Sequence, residues 1–283
     1  MSPAAALLAL GVLAAGPGEP AAVQTLGPRA PGRVRRVVTL APSLTDAVLA
    51  LGAGDLLVGV SRFDEQPEVR TLPRVGGFVD PSVEAVAALK PDLVLVQLGP
   101  GNQRPVAALA ALGIPILALR LASIDDVLAG LRAVGVALGH TDKAEALARA
   151  LAETRAAVRA RAGGFPSVRA LFVYGFEPLV VAGPGSFADE LLRDAGGINV
   201  AQDARSAYPV WSVEHALAAK PDVVLDATHG VGGREALQEL PGLRQARWVT
   251  LPSPALLHPG PALGQGLEEL FRALHPVVPE AGR

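Results

Sequence analysis

Few side chains in this sequence have types and spacing that could do chemistry. Cysteine is absent, which removes thiol catalysis, disulfides and thiolate metal sites together. The five histidines, His140, His215, His229, His258 and His275, are too scattered to suggest three ligands on one ion, so no metal site is expected. His229 follows the run VVLDAT and reads either as a loop histidine in water or as a cleft residue offering a hydrogen bond. His258, in LLHPGPALGQGLEEL, is a candidate partner for a polar ligand group. There is no G-x-S-x-G elbow, no Walker lysine motif and no G-x-G-x-x-G after the first strand. Gly183-Pro184-Gly185-Ser186, ahead of a helix, reads equally as an anion cradle or as a turn and cap.

The aromatic residues carry more information, because they make up only 4% of the chain. Phe63, Phe78, Tyr174, Phe176, Tyr208 and Trp211 all fall at or near predicted strand ends or loops, where a ring either lines a cleft or plugs the core below. Rings on a cleft wall suit a flat apolar ligand, which gains dispersion and apolar burial by stacking. Arg62, Arg104 and Arg205 are available to an anionic ligand. The net charge of -2 offers no basic field for phosphates, so a nucleic-acid partner is not expected. The expectation is a binding protein and not an enzyme, with a cytoplasmic nucleotide-binding α/β enzyme as the distant alternative.

The elements that must position these residues are set by hydrophobic period and turn signals. Short apolar runs at 36–40, 57–60, 93–96 and 114–119 alternate with helical segments at 44–51, 83–89 and 104–112. Ser43 is expected to cap the first helix and Asp80 or Ser82 the second. Continuous apolar strands alternating with helices imply a parallel sheet covered on both faces. Residues 141–162 (TDKAEALARALAETRAAVRARA) open with a Thr cap and acidic residues and close with basic ones before Gly163-Gly164. They predict a single helix about 33 Å long. The pattern then restarts with strands at 170–174, 179–181 and 223–225 and helices at 187–194, 213–219 and 262–274.

An internal repeat organises the chain. Residues 83–96 read VEAVAALKPDLVLV and residues 213–226 read VEHALAAKPDVVLD, the same helix-Lys-Pro-Asp-strand grammar twice. The fold class is therefore α/β: two lobes, each a parallel β-sheet flanked by helices, joined by one long α-helix. The boundaries fall at 33–140 for the first lobe, 141–163 for the connecting helix and 164–283 for the second lobe. Residues 1–32 are expected to be a signal peptide and flexible tail, from the apolar run Met1 to Ala15 and the Pro/Gly/Ala-rich stretch after it, although no Lys or Arg precedes that run. Ligands of such sheets sit outside the carboxyl ends of the strands, here between the lobes.

Four segments carry a family resemblance: RVVTLAPSLTDAVLALGAGDLLVGVS (36–61), VGGFVDPSVEAVAALKPDLVLV (75–96), GPGSFADELLRDAGGINV (183–200) and VWSVEHALAAKPDVVL (210–225). They resemble the helix-linked (class III) periplasmic substrate-binding proteins of ABC importers, nearest to the cobalamin (vitamin B12)-binding members, with siderophore- and haem-binding relatives next. The resemblance implies that aromatic side chains of both lobes sandwich a corrinoid. It places ligand positions at Phe63, Phe78 and Gln97 in the first lobe and Tyr174, Val180 and Tyr208 in the second, to which the place of His229 after VVLDAT adds a further candidate. Gln97 and Val180 stand where the family has aromatics. The resemblance also implies docking of one glutamate per lobe, Glu84 and Glu214, on arginines of a permease dimer. Phe78 and Tyr208 each stand six residues before these glutamates. The protein so implied is a soluble extracytoplasmic or periplasmic monomer without a cofactor, whose transported ligand is cobalamin. An iron siderophore is the alternative, and haem or a divalent metal less so. Without cysteine it is not a lipoprotein, and a single packed connecting helix implies small lobe motion.

Overall fold

The apolar runs become the strands of two sheets in a computed structural model that describes residues 21–99, 101–228, 233–251, 254–256 and 258–276. In the first half lie β1 (Val23–Leu26), β2 (Val37–Thr39), α1 (Pro42–Ala50), β3 (Leu57–Gly59), α2 (Val83–Ala88), β4 (Leu93–Gln97), α3 (Gln103–Ala111), β5 (Ile116–Leu119) and α4 (Ile124–Leu138). Their strands form one sheet in the order β1-β5-β4-β2-β3. α5 (Thr141–Ala162) leads into the second half. There lie β6 (Val168–Phe176), β7 (Leu179–Val181), α6 (Phe187–Asp194), β8 (Gly197–Asn199), α7 (Val213–Ala219), β9 (Val223–Asp226), α8 (Arg234–Gln238), β10 (Arg247–Thr250) and α9 (Leu263–Leu274). The second sheet runs β10-β9-β6-β7, with β8 also paired to β6.

Strand alternation explains how the lobes are joined. Val38, Val94 and Val96 face a core private to the first lobe, with Val86 of α2 and Leu109 of α3. Leu171, Val173 and Val224 do the same in the second lobe, with Trp211 and Ala216. The opposite strand faces, Val37, Leu93 and Leu95 in one sheet and Ala170, Phe172 and Leu225 in the other, belong to one continuous cluster completed by α4, α5, α6 and α9. Each sheet is thus covered on both faces, and the layer behind both is shared. Arg155 of α5 ties this layer electrostatically, bonding Asp194 (2.6 Å) and Glu190 (2.6 Å) of α6 and Asp125 of α4 (3.0 Å). Glu190 also accepts from the Ile124 amide (2.9 Å), so an α6 carboxylate caps α4.

Several sequence expectations change. The stretch expected to be a tail holds β1, antiparallel to β5, so folded structure begins ahead of Arg33. β1 covers the outer edge of β5, and edge coverage is a tertiary need that local Pro and Gly content does not reveal. Neither sheet is wholly parallel, since β7 is antiparallel to β6. Ser43 is not a cap: α1 starts at Pro42 behind Ala41, and Ser43 lies inside it. The connecting helix is likewise preceded by His140 with no side-chain cap bond. Ser82, not Asp80, caps α2. α4 has no counterpart among the expected helices; Gly130 and Gly135 interrupt its pattern, yet a Cβ at Gly135 would collide with Ala144 Cβ, so glycine permits the close α4–α5 crossing. Met1 to Ala15, the expected signal segment, and His229 lie outside the described residues. Among the described residues no helix is long and apolar enough to cross a membrane.

Candidate functional site

The expected ligand residues lie at or beyond strand ends in both lobes, except Val180, which is inside the antiparallel β7. In the first lobe Gln97 ends β4, and the segment after β3 carries Phe63. Phe63 is exposed (54%) with its ring against Gly77, beside the half-buried Phe78. The Phe78 ring rests on Gly99, where a Cβ would collide with Cζ. Asn102, fully buried, ties the corner: its Nδ2 donates to the Phe78 carbonyl (3.2 Å) and the Gln97 carbonyl (2.8 Å), and its Oδ1 accepts from the Gly99 amide (3.3 Å). Ser43 Oγ donates to Gln97 Oε1 (3.1 Å), leaving the Gln97 amide NH2 as a donor for a ligand acceptor.

In the second lobe Tyr174 lies near the end of β6 and Val180 in β7. The segment with Tyr208 runs antiparallel alongside β7: Gly183 N donates to Ala207 O (2.9 Å), Val181 N to Pro209 O (3.1 Å) and Trp211 N to Leu179 O (2.8 Å). Val180 faces Val210 across this ladder. The Tyr208 ring, 57% exposed, meets Tyr174 edge-on at 5.5 Å between centroids. Burial pushes the Tyr174 phenol well above its ordinary value, with Tyr208 adding to the rise, and burial raises the Tyr208 phenol as well. Both are neutral hydroxyls at physiological pH.

Other candidates resolve differently. Phe176 and Trp211 are core residues, at 5% and 8% exposure. Arg62 is paired: its Nη2 donates to both oxygens of Asp80 (2.5 and 2.6 Å), and its guanidinium lies over the Phe63 ring at 5.2 Å. That hydrogen bond holds the Asp80 carboxyl below the usual carboxylate range. Gly183 to Ser186 is a turn and cap: Ser186 caps α6 through the Asp189 amide (3.2 Å), and Asp189 takes the Gly185 amide (3.3 Å) that an anion would need. His275 is buried with Nε2 3.0 Å from the Ala195 carbonyl, His215 stacks on Trp211 at 4.3 Å, and His258 lies 3.7 Å from Asp46 of α1. Among the described residues no group of three His, Cys, Asp or Glu could hold a metal ion.

Sequence reasoning missed Asn102 and Ser43 as positioning residues and Asp80 as the partner of Arg62. The only local trace of Asn102 is its place in Gly99-Pro100-Gly101-Asn102, where a turn precedes a helix. Glu84 and Glu214 are exposed in the first turns of α2 and α7, behind matching caps in which Ser82 accepts from Ala85 N and Ser212 from His215 N, each at 3.2 Å. The Glu214 carboxyl is held below its ordinary value by its own backbone amide and the Ser212 hydroxyl.

Known proteins are similar to this chain in sequence and fold. A family profile described as periplasmic binding protein matches residues 37–253. The chain is 34% identical over 193 residues to the vitamin B12-binding protein of Salmonella paratyphi A, covering 68% of this chain and 72% of that one. The periplasmic heme-binding protein RhuT from Roseiflexus sp. RS-1, in apo form, superposes with a TM-score of 0.76 at 32% identity, over 85% of this chain and 98% of that one. The vitamin B12-binding protein BtuF of Vibrio cholerae has the same fold, with a TM-score of 0.76 at 24% identity over 85% and 96% of the two chains. By the profile match and the identity to its relatives, the chain belongs to the periplasmic binding protein family, the non-catalytic solute-binding components of ABC-type importers.

Proposed function

We propose that this protein captures cobalamin between Phe63 and Phe78 of the first lobe and Tyr174 and Tyr208 of the second, outside the cytoplasm, and delivers it to a permease docked through Glu84 and Glu214. The observation that carries the ligand reading is the set of rings held at the carboxyl ends of strands in both lobes, Phe78 by Gly99 and Asn102 and Tyr208 by its ladder with β7. One electrostatic feature weighs against an anionic iron chelate: Asp80 pairs with the Arg62 guanidinium and offsets its charge. Gln97, oriented by Ser43, supplies an amide donor suited to the carboxamide carbonyls on a corrin rim. The B12-binding relative at 34% identity supports the same ligand.

Haem is the second reading, favoured by the 32% identical haem-binding neighbour. Titration calorimetry against cyanocobalamin, with haem and a ferric siderophore in parallel, separates the two. One-to-one submicromolar cobalamin binding that is lost in a Phe78→Ala, Tyr208→Ala double variant is the expected result. Tight haem binding with no cobalamin heat would keep the transport role and replace the ligand. Docking is tested by Glu84→Ala with Glu214→Ala, which should abolish uptake while leaving ligand affinity intact.

A further inference from the structure

The two docking helices are held at their far ends by the same device, built twice. In the first lobe Arg36, at the head of β2, donates from Nη2 to Leu89 O (2.7 Å) and from Nε to Leu89 O (3.1 Å) and Lys90 O (3.2 Å), the last carbonyls of the α2 turn. In the second, Arg169 of β6 donates from Nη2 to Ala219 O (2.7 Å) and from Nε to Lys220 O (3.4 Å), the equivalent carbonyls of α7. Lys90 and Lys220 both adopt the left-handed conformation, φ +46°, where a non-glycine residue is strained. Asp92 closes the first turn by accepting from Arg35 N (2.8 Å) and Arg36 N (3.0 Å), and Asp222 closes the second by accepting from Arg169 N (2.9 Å). Asp92 N and Asp222 N each return a bond of 2.8 Å to the carbonyl of the arginine.

These arginines are exposed, and the residues whose carbonyls they grip are at least partly so, which means that water would satisfy the same groups. Each long side chain therefore loses rotamer freedom for bonds that solvent could supply. Helices of six and seven residues have little stability of their own. With a serine cap at one end and an arginine at the other, each helix axis is fixed relative to the strand beside it. The two copies share one further feature, the exposed glutamate at the second position of the helix.

We propose that Arg36 and Arg169 are positioning residues for permease docking: they hold α2 and α7 so that Glu84 and Glu214 keep a fixed separation and direction. This rests on the docking role of the two glutamates. Each arginine acts only on the glutamate of its own lobe, so its loss is felt through that glutamate and not through the other.

The chain has no cysteine, so spin labels at E84C and E214C report the separation directly by pulsed electron resonance. A narrow distance distribution is expected, broadening in Arg36→Gln and in Arg169→Gln with ligand affinity and far-ultraviolet dichroism unchanged. In proteoliposomes holding the permease and its ATPase, each arginine variant should raise the concentration of binding protein giving half-maximal ATPase stimulation about fivefold. Arg36→Gln should be non-additive with Glu84→Ala and additive with Glu214→Ala. Arg36→Lys, which retains a single donor group, should recover part of the effect and covers the case of a poorly folded glutamine variant. An unchanged distance distribution, or unchanged stimulation in variants where Glu84→Ala impairs it, overturns the proposal. Failure of Glu84→Ala and Glu214→Ala to affect stimulation would instead remove the docking reading itself.

Discussion

Replacing Arg155 with Met should loosen the layer that joins the lobes. The Arg155 side chain is 16% exposed and faces Asp194, Glu190 and Asp125, whose side chains are 6%, 20% and 81% exposed. The exposed Asp125 pair contributes little. Removing one partner of a fully buried pair costs about 3–5 kcal/mol. Here Asp194 keeps a weaker contact to Arg159 at 3.4 Å and Glu190 keeps the Ile124 amide, so a loss of about 2 kcal/mol is expected. For a chain of this size that corresponds to a melting temperature lower by about 5 °C. Burial opposes the Arg155 charge, but the hydrogen bond to Asp194 and the three nearby carboxylates outweigh it and raise its pKa. Glu190 behaves oppositely: burial dominates, outweighing the Ile124 amide and Arg155, and its pKa is raised. The two directions are compatible because Asp194 is the principal partner of Arg155. A carboxyl raised on folding contributes stability that is complete below its unfolded pKa and is lost as pH rises through its folded pKa. Near neutral pH the Glu190 charge is therefore tolerated because Arg155 faces it. The gap between wild type and Arg155→Met should be widest at pH 7 and should narrow in mild acid, beginning above the ordinary glutamate range because the Glu190 carboxyl is raised. Urea unfolding followed by circular dichroism across that range measures both quantities. A gap under about 0.5 kcal/mol at pH 7, the level of an exposed ion pair, or one that widens in acid, would refute the argument.

Gly99→Ala should drive the Phe78 ring off its seat and weaken binding of the proposed ligand, cobalamin, about tenfold with little change in melting temperature, read by calorimetry. Asn102→Ala removes two donors and one acceptor at a buried corner and should cost about 1–3 kcal/mol of stability together with a loss of ligand affinity, followed by urea unfolding and calorimetry. Asp80→Asn should free Arg62 and strengthen binding of an anionic iron chelate, measured by fluorescence quenching. Because Arg62 holds the Asp80 carboxyl low, the wild-type pair persists as pH falls until it passes that lowered value, so the wild type should approach the variant's chelate affinity only in strong acid.

Much of the fold is legible in the residues. The connecting helix 141–162 has the bounds its sequence predicts, because strong helix formers and a charge gradient specify it locally. The repeat at 83–96 and 213–226 predicts two equivalent lobes, and their serine caps, left-handed lysines and arginine grips match. β1 and α4 escape for one reason: β1 is stabilised by an edge it covers and α4 by a helix its glycines allow near, and both depend on packing that local patterns do not encode.

The site divides along the same line. Residue type and spacing alone determined which rings and glutamates fall at strand ends and helix starts, because hydrophobic period, turn chemistry and the repeat are local properties of the chain. Whether an aromatic stays exposed or joins the core, and whether a charge is free or paired, was decided by tertiary structure. Phe176 and Trp211 satisfy the same local rule as Phe78 and Tyr208, yet they are buried. Arg62 is unpaired by its local sequence and is paired in the fold with Asp80, eighteen residues on. Burial and pairing depend on the three-dimensional neighbourhood, which forms only when segments far apart in sequence pack together.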